Sequence, residues 1–341
     1  MPRNEKREIT WAEKARRVGD SIARSAFHPA VLAWAAARRK SEVWSVALSG
    51  GSDSVALLLL LWAHWRERRG KLVALHFNHR LRGRESTADE VFCRKLCAGL
   101  GIRLETGRWP GRNRGASEAA ARAARHDFFG AKMKIHRSKV LWLAHQQDDV
   151  AETMLMRLAR GSGLGGLTAP RPVQTGIDRR THVRPLLTLK KSELIAALRQ
   201  SGAAWREDSS NDTGLYFRNR VRNKVLPAWT KAAGRDAVAG AARSRELLEE
   251  DDEALKIWAQ KLCALDGDRV LDVRSLNTVP RAVARRVLHQ WLLTVAPVTD
   301  LSRQGFESLL AAVERGEPTR FSLGRKDFAV IRKGQMSLKR G

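Results

Sequence analysis

Cysteine is scarce in this chain, and acid is heavily outnumbered by base. Three cysteines, Cys93, Cys97 and Cys263, stand in 341 residues. An odd number at wide spacing argues against a disulfide framework and implies a reducing compartment. No C-x-x-C pair occurs, which removes zinc-ribbon and iron–sulfur chemistry. Cys93 and Cys97, four apart on an expected helix, read as small buried side chains. The longest apolar run, Val55 to Trp65, is interrupted by His64 and is too short to span a bilayer. The charged, helix-like N-terminus is unlike a signal peptide. The expectation is a soluble cytoplasmic protein with no membrane partner. No internal repeat is present, and no low-complexity tract is long enough for a disordered tail.

Base is abundant. The formal net charge is +27, beyond what solubility needs, and points to a polyanionic partner such as nucleic acid. The surplus is uneven: residues 1–229 carry a net +22 and residues 230–341 a net +5.

Strand–helix alternation begins at Val43. Strands are expected at Val43–Leu48, Leu72–Phe77, Ile102–Thr106 and Val140–Ala144, with helices near 54–68, 86–99 and 117–133. One or two helices precede them, within 10–40. Such alternation predicts an α/β fold, a doubly wound, mostly parallel sheet covered on both faces. Arg184–Leu187 adds a further strand or ordered loop, and a helix near 190–201 ends at Gly202. The segment 205–229 is polar, then aromatic and Arg-rich, and closes at Pro227. A helix near 240–264, with Leu248, Leu255, Trp258 and Leu262 on one stripe, opens a smaller, mainly helical C-terminal domain. Another helix follows at 280–294, then a helix and strands within 305–333.

Ligands of parallel sheets sit at the carboxyl ends of the strands, and the informative residues fall there. After the first strand comes Ser49-Gly50-Gly51-Ser52-Asp53-Ser54. Two glycines permit a sharp turn and close backbone approach. The helix beyond offers unpaired amides and a partial positive charge, which suit a phosphate or pyrophosphate. Hydroxyls of Ser49, Ser52 and Ser54 add donors, and Asp53 fits a divalent cation placed between carboxylate and phosphate. No lysine follows the glycines, so this is not the kinase and GTPase loop.

After the second strand, His76-Phe77-Asn78-His79-Arg80-Leu81-Arg82 places two histidines three apart without a third metal ligand. A strand end facing a nucleotide, with Arg80 and Arg82 for phosphates, fits better. On the third helix Arg122 and Arg125 share a face, either solvated or clamping phosphate. After the fourth strand, His145-Gln146-Gln147-Asp148-Asp149-Val150-Ala151-Glu152 gathers three acids in five residues. Helix capping explains one of them; a substrate ammonium or a metal explains the set better. Gly161–Gly166 matches G-x-G-x-x-G but follows a helix rather than a strand. It is no dinucleotide fingerprint, and reads as a flexible loop near the site. Glu207–Asn211 and Phe217–Asn223 combine acid, Asn, Arg and an aromatic in a pattern suited to single-stranded RNA.

The loop S-G-G-x-D-S resembles that of the PP-loop ATP pyrophosphatases, whose fold is adenine nucleotide alpha hydrolase-like. Together with H-x-N-H-x-L-R, A-R-x-x-R, H-x-x-D-D-x-x-E-T, E-D-x-S-N and R-N-x-x-R in that order, the set over about 43–227 resembles the bacterial tRNA(Ile)-lysidine synthases. That resemblance implies adenylation of the C2 oxygen of the wobble cytidine in a CAU-anticodon tRNA(Ile), using ATP and Mg²⁺. Free L-lysine then attacks C2, giving lysidine, AMP and pyrophosphate. It implies ATP binding by Ser49, Gly50, Gly51, Ser52, Asp53, Ser54, Arg122 and Arg125, with Asp53 on the metal. It implies a reaction centre of Asp53, Arg122, His145 and Asp148, and lysine binding by Asp149 and Glu152. tRNA contacts fall to Arg80, Arg82, Arg218, Asn219 and Arg222.

The implied division is a helical extension at 1–41, a catalytic domain at 42–229 and a tRNA-contacting domain at 230–341. The pattern departs from the family at His126, where an aromatic is common, and the chain, ending at Gly341, reads as a short form. Oligomeric state stays open, a homodimer included. The alternatives are a tRNA thiolase, which usually needs cysteines that are lacking here; a small-molecule PP-loop ligase, which would not need the basic surplus; and a catalytically inactive RNA-binding relative.

Overall fold

Two helices lead the chain in the computed structural model, which describes residues 9–80, 84–109, 118–176, 178–207, 217–262, 270–296, 300–324 and 326–341. Helix α1 (Trp11–Ser21) starts at a capping box: the Thr10 hydroxyl accepts from Glu13 N, and the Glu13 carboxylate accepts from Thr10 N. Helix α2 (Pro29–Ala36) begins with Pro29, whose missing N–H costs nothing in a first turn. Strand β1 (Trp44–Ala47) leads into α3 (Ser52–His64), where Val55 to Trp62 are all buried. A helix apolar all round is a core helix, and α3 is packed by α1, by α8 (Lys191–Ser201, below) and by the sheet.

Strand β2 (Leu72–Asn78), helix α4 (Arg84–Leu100), strand β3 (Arg103–Arg108), helix α5 (Glu118–Ile135) and strand β4 (Val140–Trp142) complete the alternation. Helices α6 (Gln147–Leu158) and α7 (Leu164–Leu167) precede the short strands β5 (Val173–Thr175) and β6 (Thr181–Val183), and α8 follows. The sheet order is β3-β2-β1-β4-β6-β5, parallel throughout except for β5 against β6. Chain order reverses between β2-β1 and β1-β4. The crevice at the carboxyl ends of β1 and β4 is therefore the switch point where ligands bind.

Trp44 of β1 and Trp142 of β4 lie 4.5 Å apart between ring centroids, with Trp34 of α2 and Trp65 packed around them. This aromatic cluster ties the leading helices to the sheet.

Some expected elements take another form. Of the strand or ordered loop expected at Arg184–Leu187 the structure has the second, a 3-10 turn over Pro185–Thr188, and β5 and β6 supply the pairing. The chain does not close at Pro227. Helix α9 (Phe217–Arg220), a π turn at Val221–Val225 and α10 (Leu226–Ala233) run on through it, because a proline in the first turn of a new helical segment forfeits no needed N–H. Gly161–Gly166 runs into the helical turn α7, with Thr168 Oγ1 donating to Gly165 O at 3.1 Å.

Backbone packing separates two units, Met1–Arg245 and Glu246–Gly341, with helix α11 (Ala237–Leu262) carrying the boundary. In the second unit Leu255 and Leu262 face the core while Trp258 is 43% exposed, so Trp258 lies off the expected stripe. Strand β7 (Leu271–Asp272), helices α12 (Arg281–Val295) and α13 (Arg303–Arg315), and strands β8 (Thr319–Gly324), β9 (Asp327–Arg332) and β10 (Gln335–Arg340) follow. The antiparallel sheet β7-β10-β9-β8 buries Leu323, Ala329, Ile331 and Met336 against Val287, Trp291 and Leu309.

Candidate functional site

The turn after β1 is held open from within. Ser54 Oγ accepts from Ser49 N and Gly50 N, both at 3.2 Å, and donates to Gly51 O at 2.9 Å. One hydroxyl thus closes the loop around the start of α3. Gly51 is the N-cap and has no side chain to cap the helix, so the first amides of α3 are left for a ligand. Gly50 has φ +97°, and a Cβ there would meet Cys93 Sγ at 3.3 Å. The positive φ favours glycine, and the contact leaves little room for a side chain. Arg206 crosses the loop: its N–H donates to Gly50 O at 2.9 Å, and its Nε donates to Asp89 at 2.8 Å.

Strand β2 braces the same turn. His76 Nδ1 donates to Leu48 O at 2.9 Å, which fixes the tautomer, since a carbonyl only accepts. His76 thus braces the loop through Nδ1. Asn78 Oδ1 accepts from Arg80 N at 2.9 Å, which holds Arg80 at φ 56° at the strand's carboxyl end. Arg82 lies outside the described residues, as do 208–211.

Helix α6 brings the acids together. Gln146 caps it by accepting from Asp148 N, and Asp149 Oδ2 accepts from Gln146 N at 3.2 Å. Asp148 Oδ2 accepts from Lys191 N at 3.0 Å and so joins the starts of α6 and α8. Two arginines from the other side meet Asp149 and Glu152. Arg218 donates from Nη2 to Asp149 Oδ1 at 2.7 Å and from Nε to Glu152 Oε2 at 2.9 Å. Arg222 donates from Nε to Glu152 Oε1 at 2.5 Å and from Nη2 to Glu152 Oε2 at 3.0 Å. Asn219 sits between them on α9. The residues expected to bind an ammonium and those expected to bind RNA therefore contact each other.

Asp53, at the head of α3, has its carboxyl pushed up from 3.8 to about 6, first by burial and then by Asp149, with Lys191 and Arg222 acting the other way. Loop and acid cluster thus share one electrostatic site. His145, at the end of β4, is held well below the usual imidazole range by burial and by Arg184, Arg218, Arg122 and Arg125, so it is neutral at pH 7. Its Nδ1 has no hydrogen-bond partner among the described residues. Arg184 is 7% exposed, donates from Nη1 to Arg171 O at 2.7 Å, and is lowered to about 10 by burial and Arg122. His182 is lowered to about 4 by burial, Arg184 and His126. Arginines and neutral histidines thus gather around the end of β4, next to the acids of α6.

A cleft of about 590 Å³ adjoins the acids. Asp148 and Glu152 lie on it with Lys191, Arg222 and Lys231, and Leu226, Pro227 and Val238 give apolar wall. Among the described residues, no group of three or more His, Cys, Asp and Glu side chains is placed to hold a metal. A cation that arrives on phosphates needs only one or two carboxylates from the protein, which is how Mg²⁺ is commonly held. No helix among the described residues is long and apolar enough to cross a membrane.

Sequence reasoning overlooked His76 as a brace, Arg206, Arg184 and the two cleft lysines. A signal existed for Lys191: with Lys190 it opens a helix, where positive charge opposes the dipole and wants a separate reason.

The profile of the PP-loop domain matches residues 25–229. The chain is 36% identical over 276 residues to a tRNA(Ile)-lysidine synthase of Geobacter sulfurreducens, covering 77% of this chain and 56% of the relative. It is 38% identical over 253 residues to the tRNA(Ile)-lysidine synthase of Ruegeria pomeroyi, covering 71% and 58%. With that of Pseudomonas syringae pv. tomato it is 34% identical over 292 residues, covering 82% and 64%. The chain thus spans between 56% and 64% of the length of these relatives. Among solved structures, the U34-tRNA thiolase NcsA from Methanococcus maripaludis aligns with a TM-score of 0.52 at 18% identity, over 70% of this chain and 79% of that one, a likeness of fold.

Proposed function

This chain belongs to the PP-loop domain family, and from that premise we propose that it ligates L-lysine to C2 of the wobble cytidine of a CAU-anticodon tRNA(Ile), at the expense of ATP. The observation that carries the reading is the cleft beside the PP-loop. It has carboxylates at Asp148 and Glu152, apolar wall at Leu226, Pro227 and Val238, and cations at Lys191 and Lys231. A zwitterion with a long aliphatic stem and a terminal ammonium matches that lining. Three relatives with 34–38% identity bear the corresponding name.

In this reading ATP lays its phosphates on the first amides of α3. Asp53 takes a share of Mg²⁺, which would neutralise charge on the departing pyrophosphate. Arg122, Arg125 and Arg184 face the charge that develops as the C2 oxygen attacks the α-phosphate. Lysine enters with its ammonium toward Asp149 and Glu152. Free lysine is protonated at neutral pH, with a reference pKa of about 10.4, so attack requires a proton acceptor. His145 is neutral and its Nδ1 is unpartnered among the described residues, which suits it to that role beside Asp148. Arg80, Arg82, Arg218, Asn219 and Arg222 serve the RNA. The catalytic domain is 42–229, and 230–341 contacts the tRNA body. The compartment is the cytoplasm, where such a substrate resides.

A thiolase reading is disfavoured by chemistry. Cys93 and Cys97 are buried in α4, and burial pushes the Cys97 thiol up to about 12, so neither is a ready nucleophile or ligand. The test is incorporation of labelled lysine into CAU-anticodon tRNA(Ile). Incorporation dependent on ATP and Mg²⁺ is expected, with pyrophosphate released before lysine is added. No incorporation under any of these conditions rejects the reading.

A further inference from the structure

The seat assigned to the substrate ammonium is filled by the protein's own cations. Asp149 and Glu152 present four carboxylate oxygens, and each is engaged. Asp149 Oδ1 accepts from Arg218 at 2.7 Å and from Arg222 at 3.4 Å, and Asp149 Oδ2 accepts from Gln146 N at 3.2 Å. Glu152 Oε1 accepts from Arg222 at 2.5 Å, while Oε2 accepts from Arg218 at 2.9 Å and from Arg222 at 3.0 Å. The Glu152 side chain is 1% exposed, against 28% and 27% for the two arginines, so the guanidiniums lie over the acids like a cover. An incoming ammonium finds no unengaged oxygen. It reaches the buried Glu152 carboxylate only as a guanidinium moves aside.

We propose that Arg218 and Arg222 are intramolecular stand-ins for the ammonium of lysine, and that phosphate arriving on the PP-loop draws them off, so that the anionic substrate binds before the amine. The proposal rests on the lysine reading above and extends it to the order of binding. Arg222 lies close enough to Asp53, on the loop helix, for each charge to influence the other. Arg218 bears on His145 at the end of β4. Arg222 also lines the cleft beside the acids. Phosphate on the loop offers the two arginines a further anion, which guanidinium pairs with in the same bidentate geometry as carboxylate. They sit four residues apart, Arg218 on α9 and Arg222 in the π turn 221–225. A π turn holds one extra residue per turn and is a place where helix register can change.

The order suits the chemistry, because the amine acts only after the C2 oxygen carries AMP. While the cover is closed, the apparent affinity for lysine is reduced by the fraction of molecules with the seat open. By reciprocity, nucleotide and lysine each tighten binding of the other by the same factor.

The test is calorimetric titration of L-lysine into the full chain, with and without α,β-methylene-ATP and Mg²⁺. Wild-type protein is compared with Arg218→Gln and Arg222→Gln, their folding checked by circular dichroism. Lysine is expected to bind the wild type about tenfold more tightly or better with the analogue present. Each variant is expected to bind lysine more tightly than the wild type when the analogue is absent, with less further gain on adding it. A wild-type affinity indifferent to the analogue overturns the proposal, and so do folded variants that bind lysine no better than wild type. Should a variant fail to fold, the wild-type comparison decides. If lysine binds in no arm, the lysine reading itself fails and the cover falls with it. Lysine binding without coupling removes only the cover.

Discussion

Replacing Asp53 by asparagine should stabilise the first unit while abolishing its chemistry, and the gain should depend on pH in a defined direction. Burial and Asp149 raise the Asp53 carboxyl from 3.8 to about 6. A group whose pKa is higher folded than unfolded favours the fold while it is protonated. That contribution is complete below the unfolded value and is lost as pH rises through the folded one. Ionised Asp53 thus costs the wild type about 3 kcal/mol at pH 8, but about 1 kcal/mol at pH 4.5, where most of the folded population still holds the proton. Asp53→Asn escapes the cost at both. Its advantage over wild type should therefore grow by about 2 kcal/mol between those pH values. Any constant difference, such as a weaker bond from Ser52 Oγ to the side chain, cancels from this slope. Urea denaturation followed by tryptophan fluorescence is the assay, since nine of the 11 tryptophans precede Arg245 and report on the first unit. An advantage that is flat with pH, or that shrinks toward pH 8, would refute the assigned environment of Asp53.

Gly50→Ala should lower stability by about 1–3 kcal/mol, because alanine is strained at φ +97° and its Cβ would stand 3.3 Å from Cys93 Sγ; an unchanged urea midpoint together with unchanged ATP binding contradicts this. Arg206→Ala should weaken ATP binding more than RNA binding, since it removes the 2.8 Å tie to Asp89 that holds the 205–207 segment over Gly50; equal losses for both ligands would show a general destabilisation instead. Affinity for tRNA should fall steeply as salt rises, by counterion release, and residues 1–245 alone, if they fold, should keep most of that slope, because the surplus of base lies before residue 230; a slope near zero would mean that the charge serves another partner.

What the sequence discloses and what it conceals divide along a physical line. Strands β1, β2 and β4 were legible because each is short, apolar and followed by a helix, and the loop after β1 was legible because its glycines and serines are contiguous. The ends were less so. Strand β3 runs to Arg108 rather than Thr106, since an edge strand tolerates the polar residues that hydropathy takes for its end. Strands β5 and β6, three residues each, carry too little pattern to be seen. Pro227 looked like a stop because a proline in a helix's first turn cannot be told from one that ends a helix until the turn before it is known.

The concealed part of the site consists of pairings between distant residues of opposite charge. Glu152 and Arg222 are 70 residues apart, and each alone fits an exposed helix face. Assigning the acids to lysine and the arginines to RNA treats them as independent, which holds only if they are apart. The structure puts them in contact, so the two assignments are not independent. With both oxygens of a 1% exposed Glu152 occupied, uncovering it alone would strand a charge in the interior, whereas exchanging guanidinium for ammonium leaves the charge matched throughout. In the proposed exchange, release of the arginines and arrival of lysine would therefore be coupled by electrostatics, with phosphate on the loop biasing it toward the amine.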